Sequence, residues 1–399
     1  QADVTRKLAV AYSEAGRSLP AAIEFERIAS SPGESQDVQR EAVMQAANLY
    51  EKGGNPEKSR IMLETFVKRF PMPLDPAMES RNRLVTMAEK AGDLSARNAW
   101  LRDIIAADRA AGAQRTDLSR SLAAHAALSF AAPLQDAFNR IRLVIPLKKS
   151  LARKRKAMEE ALSAFTQAAD YQGLDVTTAA TFHSAELYRQ LGKDLMSSER
   201  PKKLSKDELE EYQVLLEEQA FPFEEKAIKL HEVNAVRVRD GVYDEWVRKS
   251  FESLAEMDPG RYARPEVSQG DPAGQGANPG SAVADSDAGI LNRRLGKFAD
   301  AEPNYQRAIV ADPHYAPAHL NLGILYELYL LQPQKALEQF ELYLGIAGDN
   351  KQVSGWVAEL RKRLGIKAPS PAAPSADGPA PAAPDPGPEA VTANPKEGA

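Results

Sequence analysis

Apolar residues along most of the chain recur three and four positions apart, which is the spacing of a helix that buries one face. Residues 1–258 and 282–366 show this spacing without any sustained alternation of period two. One helix is predicted in detail. Ser205 and Glu208 form a capping box at its start, and a stripe of apolar positions follows as far as Leu230. Pro222 interrupts that run and predicts a kink or a division of the helix. We therefore expect an all-α protein.

Small and aromatic residues repeat in residues 282–366 at the spacing of two stacked helical hairpins. A small residue lets two helices approach closely, and an aromatic residue fills the space between neighbouring hairpins. The second hairpin has one extra residue between Tyr326 and Ala336, around Gln332 and Pro333, which predicts a slightly enlarged turn there. Residues 351–364 predict a capping helix. The residues that carry the pattern are Gly289, Ala301, Tyr305, Ala308, Leu322, Gly323, Tyr326, Ala336, Phe340 and Tyr343.

This pattern resembles the 34-residue tetratricopeptide (TPR) repeat, and the resemblance implies a solenoid of helical hairpins. The signature returns less regularly near the start of the chain, as about three degenerate repeats in residues 3–110, and once more in residues 161–188. The helices between these segments are longer than the repeat allows.

Proline and glycine mark two segments of different composition. Nine of the 23 residues from 259 to 281 are Pro or Gly, and nine of the 27 prolines fall in residues 368–399. Residues 267–280 lack aromatic residues and periodic apolar positions, so burial cannot offset the entropy of ordering them. We expect an irregular helical array (residues 1–258), a flexible linker (259–281), a TPR pair with a cap (282–366) and a disordered Pro/Ala-rich tail (367–399). Whether the two helical parts pack together stays open.

A closer resemblance rests on residues 198–201 (SERP), 216–228 (LEEQAFPFEEKAI) and 243–246 (YDEW), with support from residues 322–326 and 355–360. These segments look like a subgroup of bacterial envelope TPR proteins that accompany TonB-type energy-transducing systems or gliding-motility machinery. The resemblance implies a periplasmic or outer-membrane-associated scaffold with partners such as TonB, ExbB/ExbD or Tol-like motor components. The export signal or lipid-bearing cysteine of such proteins is absent from this sequence, and Gln1 at the start predicts processing or truncation upstream.

Composition excludes several classes of function. The 51 basic and 56 acidic residues leave a net charge of -5, so we expect no general nucleic-acid binding. The chain has no cysteine, which excludes disulfides and thiolate metal sites. No run of eighteen apolar residues occurs, so no transmembrane span is predicted, and peripheral or lipid-anchored association stays open.

Catalytic and metal-binding patterns are not evident. The five histidines never take the spacing of metal ligands, and we expect solvated or capping roles for all of them: His125, His183, His231, His314 and His319. The many carboxylates match the solvated face of a helix. An enzyme is not expected and no cofactor is implied; a buried, perturbed carboxylate pair in a pocket of the middle helices would be needed to revive that hypothesis.

The densest charge feature is a basic run, for which two interpretations stand. It could dock on anionic lipid headgroups or nucleic acid. Alternatively it is the solvated edge of a helix whose Leu147, Leu151, Met158 and Leu162 face inward, and this interpretation is favoured. The run consists of Lys148, Lys149, Arg153, Lys154, Arg155 and Lys156.

The groove of the C-terminal repeats is the favoured functional site. By resemblance to TPR modules, the side chains that line it are Ile290, Arg293, Leu320, Ile324 and Glu327. An apolar strip with one cation and one anion suits a short peptide or an amphipathic helix. The occupant is either an external partner or the protein's own linker or tail.

The function expected from the sequence is therefore a non-enzymatic scaffold of the bacterial cell envelope. The alternative is a cytoplasmic chaperone-type adaptor that captures the carboxylate tails of client proteins. That role requires several basic side chains in the groove, and this groove offers mainly Arg293.

Overall fold

A computed structural model describes residues 2–268 and 281–366, and within these ranges the chain is helical and contains no strand. The all-α, TPR-like prediction is confirmed. The predicted tail (367–399) and residues 269–280 of the predicted linker lie outside the described residues. The helices are α1 (Ala2–Glu14), α2 (Ser18–Ser30), α3 (Gln36–Lys52), α4 (Pro56–Arg69), α5 (Leu74–Lys90), α6 (Leu94–Ala111), α7 (Asp117–Arg140), α8 (Leu147–Ala169), α9 (Leu174–Met196), α10 (Lys206–Val236), α11 (Glu245–Met257), α12 (Pro259–Tyr262), α13 (Ala282–Arg294), α14 (Phe298–Ala311), α15 (Ala316–Ile324), α16 (Pro333–Ala347) and α17 (Lys351–Leu364).

The N-terminal part is a stack of three helical hairpins, α1/α2, α3/α4 and α5/α6, in which each helix packs against the next along the chain. Polar residues start the helices, since the side chains of Ser35, Asn55 and Asp93 each accept a hydrogen bond from a backbone N–H in the first turn. Tyr50, Leu63 and other buried residues then join these hairpins in one core.

The middle of the chain consists of four longer helices and a shorter one, α7 to α11. The predicted capping box of α10 is present, because Ser205 and Glu208 exchange hydrogen bonds between side chain and backbone N–H. The helix is not divided at Pro222 and continues to Val236. Among the described residues, no helix is both long and apolar enough to cross a membrane.

The C-terminal part consists of the predicted TPR pair, α13/α14 and α15/α16, and the predicted capping helix α17. In each hairpin a glycine of the first helix faces an aromatic ring of the second, as the sequence pattern predicts. A Cβ added at Gly289 would lie 2.5 Å from Tyr305, and one added at Gly323 would lie 2.6 Å from Phe340. The absent side chains are therefore what lets the helices of each hairpin approach so closely.

The extra residue of the second repeat is absorbed inside a helix. Residues Leu325–Tyr329 continue α15 as a π-helical turn, in which the backbone N–H of Leu330 donates to the carbonyl oxygen of Leu325 at 2.9 Å. The enlargement thus begins before the predicted turn near Gln332. Leu331 then takes a left-handed conformation with φ of 54° before α16 begins.

The two helical parts share one hydrophobic core. Buried residues from Ala235 to Leu254 belong to the same cluster as those from Ile290 to Leu360. Four aromatic rings meet at the junction. Phe298 stacks on Tyr329 with 5.0 Å between ring centroids and meets Tyr243 edge-on at 4.9 Å, while Tyr329 also contacts Phe251. The array and the TPR pair are therefore in direct contact.

Candidate peptide-binding groove

The five predicted groove residues lie on α13, α15 and the π-helical turn. Ile290, Leu320, Ile324 and Glu327 are buried, and Arg293 is half-buried. Residues 263–268, which belong to the predicted linker and which we call the strap, contact the two charged members of this set. The structure thus differs from the predicted flexible linker in residues 259–268. Arg261 and Tyr262 of α12 donate hydrogen bonds to Glu232 of α10, and the strap packs against the C-terminal repeats.

One end of the strap is held by a buried carboxylate. The side chain of Glu266 accepts hydrogen bonds from Arg293, with Nε to Oε1 at 3.1 Å, and from the Tyr305 hydroxyl at 2.8 Å. Burial by itself would lower the pKa of Arg293, but the hydrogen bond to Glu266 and the electrostatic attraction of Tyr329, Glu266 and Tyr243 together raise that pKa. Burial also raises the pKa of Tyr305, and Glu266 adds to the effect. Arg293 therefore stays charged and Tyr305 stays a neutral donor.

Arg264 anchors the other end of the strap. Its side chain is fully buried, its guanidinium forms an ion pair with Glu327 and lies 3.6 Å from Glu359, and it stacks over the Trp356 ring at 4.8 Å. Burial lowers the pKa of Arg264 to about 10, so the group remains a cation at neutral pH. Arg363 donates a hydrogen bond to Glu327 at 2.9 Å. The predicted anion of the groove is thus already paired.

Backbone recognition completes the contact. The side-chain amide of Asn321 accepts a hydrogen bond from the backbone N–H of Val267 at 2.9 Å and donates one to its carbonyl oxygen at 2.8 Å. Asn321 is fully buried. A double contact to one residue's backbone holds an extended segment whatever side chain it carries, while the flanking charges select an arginine and a glutamate.

In this structure the protein's own strap, which carries the pattern Arg-x-Glu, contacts the predicted groove through Glu327, Asn321 and Arg293. Of the two occupants considered from the sequence, the linker is the one that the described residues show in place.

One residue of the predicted basic run, Lys154, does not lie on the surface. Lys154 is fully buried, where its ammonium donates to the carbonyl oxygens of Phe138 at 3.0 Å and Ile141 at 2.8 Å and pairs with Asp194 at 2.5 Å. It lies three residues after Leu151 and four before Met158, so the helix period turns it toward the core. The other five, Lys148, Lys149, Arg153, Arg155 and Lys156, are exposed on α8.

The histidine prediction is wrong for two residues, because His231 and His319 are buried. His231 contacts the Ser250 hydroxyl at 3.3 Å and the Glu186 carboxylate at 3.1 Å. The order serine, histidine, carboxylate is that of a hydrolase triad, but Ser250 is fully buried and a substrate would not reach it. No group of residues in the described ranges could hold a metal ion.

The contacts of the strap were not predicted from the sequence. A signal was present, since Arg264 and Glu266 bracket Pro265 with charges opposite to those predicted in the groove, Glu327 and Arg293. The glycine- and proline-rich composition of the neighbouring residues instead indicated a flexible linker.

Comparison with known proteins gives a fold-level likeness. No protein-family model and no curated protein matches the chain. It is similar to the TPR2AB domain of yeast Sti1 in a complex with pHSP90, at 12% identity and a TM-score of 0.29, covering 91% of this chain and 98% of that one. It is also similar to the TPR domain of P58(IPK), at 12% identity and a TM-score of 0.24, covering 91% and 98%. The assignment to a TPR-like fold rests on the hairpins and their small–aromatic contacts described above.

Proposed function

We propose that this protein is a non-enzymatic interaction scaffold of the bacterial cell envelope, accessory to a TonB/Tol-like energy-transducing or gliding-motility complex. The observation that carries the scaffold role is the C-terminal groove, which holds an extended segment through paired charges and a double backbone contact. The envelope location and the motor partners are supported by the resemblance of residues 216–228 and 243–246 to envelope TPR proteins.

In this proposal the strap and a partner segment compete for one groove. A partner segment with an arginine two residues before a glutamate would meet Glu327 and Arg293 as the strap does. Asn321 would bind its backbone. Displacement of the strap frees residues 263–268 and couples partner binding to the junction between the two helical parts.

The chaperone-type alternative is less favoured. A site for a client's carboxylate tail needs several unpaired cations, whereas Arg293 is already bonded to Glu266 and the other end of the groove carries Glu327 and Glu359.

Loosening the strap tests the groove directly. The double variant Arg264→Ala/Glu266→Ala should bind a fluorescent peptide with the sequence of residues 260–268 at least about tenfold more tightly than the wild type, measured by polarisation. The matched control is Arg248→Ala/Glu252→Ala, which removes an exposed arginine–glutamate pair from α11. Equal, weak binding by all three proteins would contradict the proposed competition.

Partner capture tests the finer assignment. The full chain and its strap variant would serve as baits in envelope extracts, with TonB-, ExbB/ExbD-, Tol- and motility-type components as the expected preys. Recovery of none of these by either bait, or fractionation of the native protein with the cytosol, would overturn the envelope proposal.

A further inference from the structure

α10 carries an exposed apolar seam with a period of seven residues. Val214 and Phe221 lie seven residues apart, and they are 53% and 62% exposed. Leu215 beside them is 58% exposed. On the opposite face Leu216, Ala220 and Ala227 are buried against the rest of the protein. The seam is thus an outward face that the described residues leave uncovered.

Pairs of glutamates recur with the same period on both sides of the seam. All of them are exposed, and within the described residues none forms an ion pair except Glu225, which pairs with Lys229. Apolar positions flanked by like charges every seven residues are typical of a helix that packs against another helix with opposite flanking charges. We call this face of α10 the acidic seam: Glu210, Glu211, Val214, Glu217, Glu218, Phe221, Glu224 and Glu225.

The start of α8 offers the complementary surface. Lys148, Lys149, Arg153, Arg155 and Lys156 are exposed and form no ion pair in the part of the chain that the structure describes, and they surround the small exposed Ala152. Val144 and Ile145, just before the helix, are 46% and 43% exposed. We call this surface the basic strip. It combines small and apolar residues with cations, as the acidic seam combines apolar residues with anions.

Both surfaces lie at the same edge of the molecule. The guanidinium of Arg155 lies 5.5 Å from the ring centroid of Phe223 on α10. Arg200 donates to Gln213 of α10 at 2.8 Å, and Glu199 beside it accepts a hydrogen bond from the backbone N–H of Ile145 at 3.2 Å. Although the two surfaces are neighbours and Arg155 contacts Phe223, no ion pair joins the seam to the strip within the described residues, so their charges are not matched within one chain.

We propose that the acidic seam of one copy packs against the basic strip of a second copy, to form a two-fold symmetric dimer. A two-fold axis at this edge places each seam on the other copy's strip, so the same contact is made twice. Charge complementarity selects this occupant, because the chain itself supplies a surface with the required charge and apolar content. The dimer does not depend on the groove or on the proposed envelope function.

The test is a charge-swap series on the full chain, with the dissociation constant measured by analytical ultracentrifugation. The wild type should dimerise at micromolar concentration in low salt and dissociate as salt rises, since salt screens exposed charges. Glu217→Lys/Glu218→Lys and Lys148→Glu/Lys149→Glu should each weaken the dimer at least about tenfold. Combining all four changes should restore the wild-type constant to within about threefold, because the charges are again opposite.

Two controls separate this contact from general effects. Glu79→Lys/Lys90→Glu reverses two exposed charges on α5 and should leave the dissociation constant unchanged. Phe221→Ala should weaken the dimer, whereas Val310→Ala, at a residue that is 82% exposed on α14, should not. Circular dichroism and the melting temperature establish that each variant is folded.

A monomer at every concentration, a dimer insensitive to both charge reversals, or failure of the fourfold variant to restore association would each overturn the proposal. So would a monomer whose acidic seam binds a basic amphipathic peptide, because the seam would then serve a different partner.

Discussion

At the scale of single residues, two glycines determine how closely the C-terminal helices pack. Gly323 faces the Phe340 ring so closely that a methyl group has no room, and Gly289 faces Tyr305 in the same way. Both were recognisable in the sequence, because a small residue that recurs with an aromatic one at a fixed spacing is typical of closely packed helical hairpins.

Gly323→Ala should destabilise the protein by about 1–3 kcal/mol, because the added methyl group overpacks a tight contact. The matched control is Gly355→Ala on α17, where nothing lies within 4 Å of the added Cβ. That change should be neutral or stabilise by up to about 1 kcal/mol, since alanine favours helix. Urea unfolding measures both, and a Gly323→Ala variant as stable as the wild type would contradict the packing described.

Glu186 makes stability depend on pH. Burial alone would raise its pKa, but the hydrogen bond from His231 and the nearby Arg189 lower it to about 2 from an ordinary 4.5. A carboxylate whose pKa is depressed on folding stabilises the protein above its unfolded pKa, and this contribution disappears as the pH falls through the folded pKa.

The wild type should therefore lose about 3 kcal/mol between pH 4.5 and pH 2 that Glu186→Gln does not lose. At pH 7 the variant should be the less stable protein, and the difference should close near pH 2. Glu252→Gln, at an exposed residue of α11, should retain the wild-type slope. Parallel curves for wild type and Glu186→Gln, measured by chemical unfolding across this range, would refute the assignment.

Other residues could not be placed from sequence. Lys154 and His231 are polar residues at core-facing positions, and they are tolerated because Asp194 and Glu186 reach them from α9. A helical period predicts that such positions face inward, but only the packing of another helix reveals whether a partner is there.

At the scale of elements, α10 runs through a proline. Pro222 has no backbone N–H, so the carbonyl oxygen of Glu218 loses its usual helical donor. The sequence predicted a kink or a division, and the helix continues undivided. Contacts of Ala220 and Phe223 with the core of the middle helices help to hold the two halves in line.

Pro222→Ala should raise the melting temperature, because it restores one backbone hydrogen bond and removes a steric clash. The gain is about 2 kcal/mol once the greater freedom of the unfolded alanine chain is subtracted. Pro201→Ala, which lies before α10, lacks the helical gain and should be neutral or slightly destabilising. A lower melting temperature for Pro222→Ala would show that the proline fits its site without cost.

The π-helical turn shows how far element boundaries can be predicted. Counting residues between Tyr326 and Ala336 revealed the insertion, but the count alone assigned it to the following turn. In the structure the extra residue lies earlier, in the π-helical turn. There Arg264 pairs with Glu327 and the Phe298 ring stacks on Tyr329, and these contacts stabilise the wider turn. Those partners come from distant segments, so local sequence contains no signal for the choice.

At the scale of the whole molecule, the shared core couples the array to the TPR pair. Phe298→Ala removes a ring from the junction and should cost about 3–5 kcal/mol. Hydrogen exchange should then show lower amide protection on both sides, in α11 as well as in α14. Phe66→Ala, a comparable loss within the N-terminal hairpins, should leave both helices unchanged. Loss of protection confined to α13–α17 would contradict a common core.

The sequence predicts two helical arrays because glycine and proline interrupt the helical period between them. The packing of the two parts against each other was not predictable, because the aromatic rings at the junction lie far apart in sequence, from Tyr243 to Tyr329. Each of these rings could equally be expected in the core of its own repeat. The strap escaped prediction for a related reason. Its contacts with the C-terminal repeats join residues 19 or more positions apart, and the glycine- and proline-rich composition of the linker gives no local signal for them.

Because the strap occupies the groove, it also sets a minimum affinity that a competing segment must have. A segment that belongs to the same chain as its site has an effective concentration on the order of 1 mM. A free peptide of equal intrinsic affinity at about 1 μM would then occupy the groove only about once in a thousand molecules. A successful partner must recover that factor of a thousand, about 4 kcal/mol, through contacts elsewhere on the surface. Under the proposed function we therefore expect the groove to reject short motifs in isolation and to accept those presented by a protein that already binds this chain elsewhere.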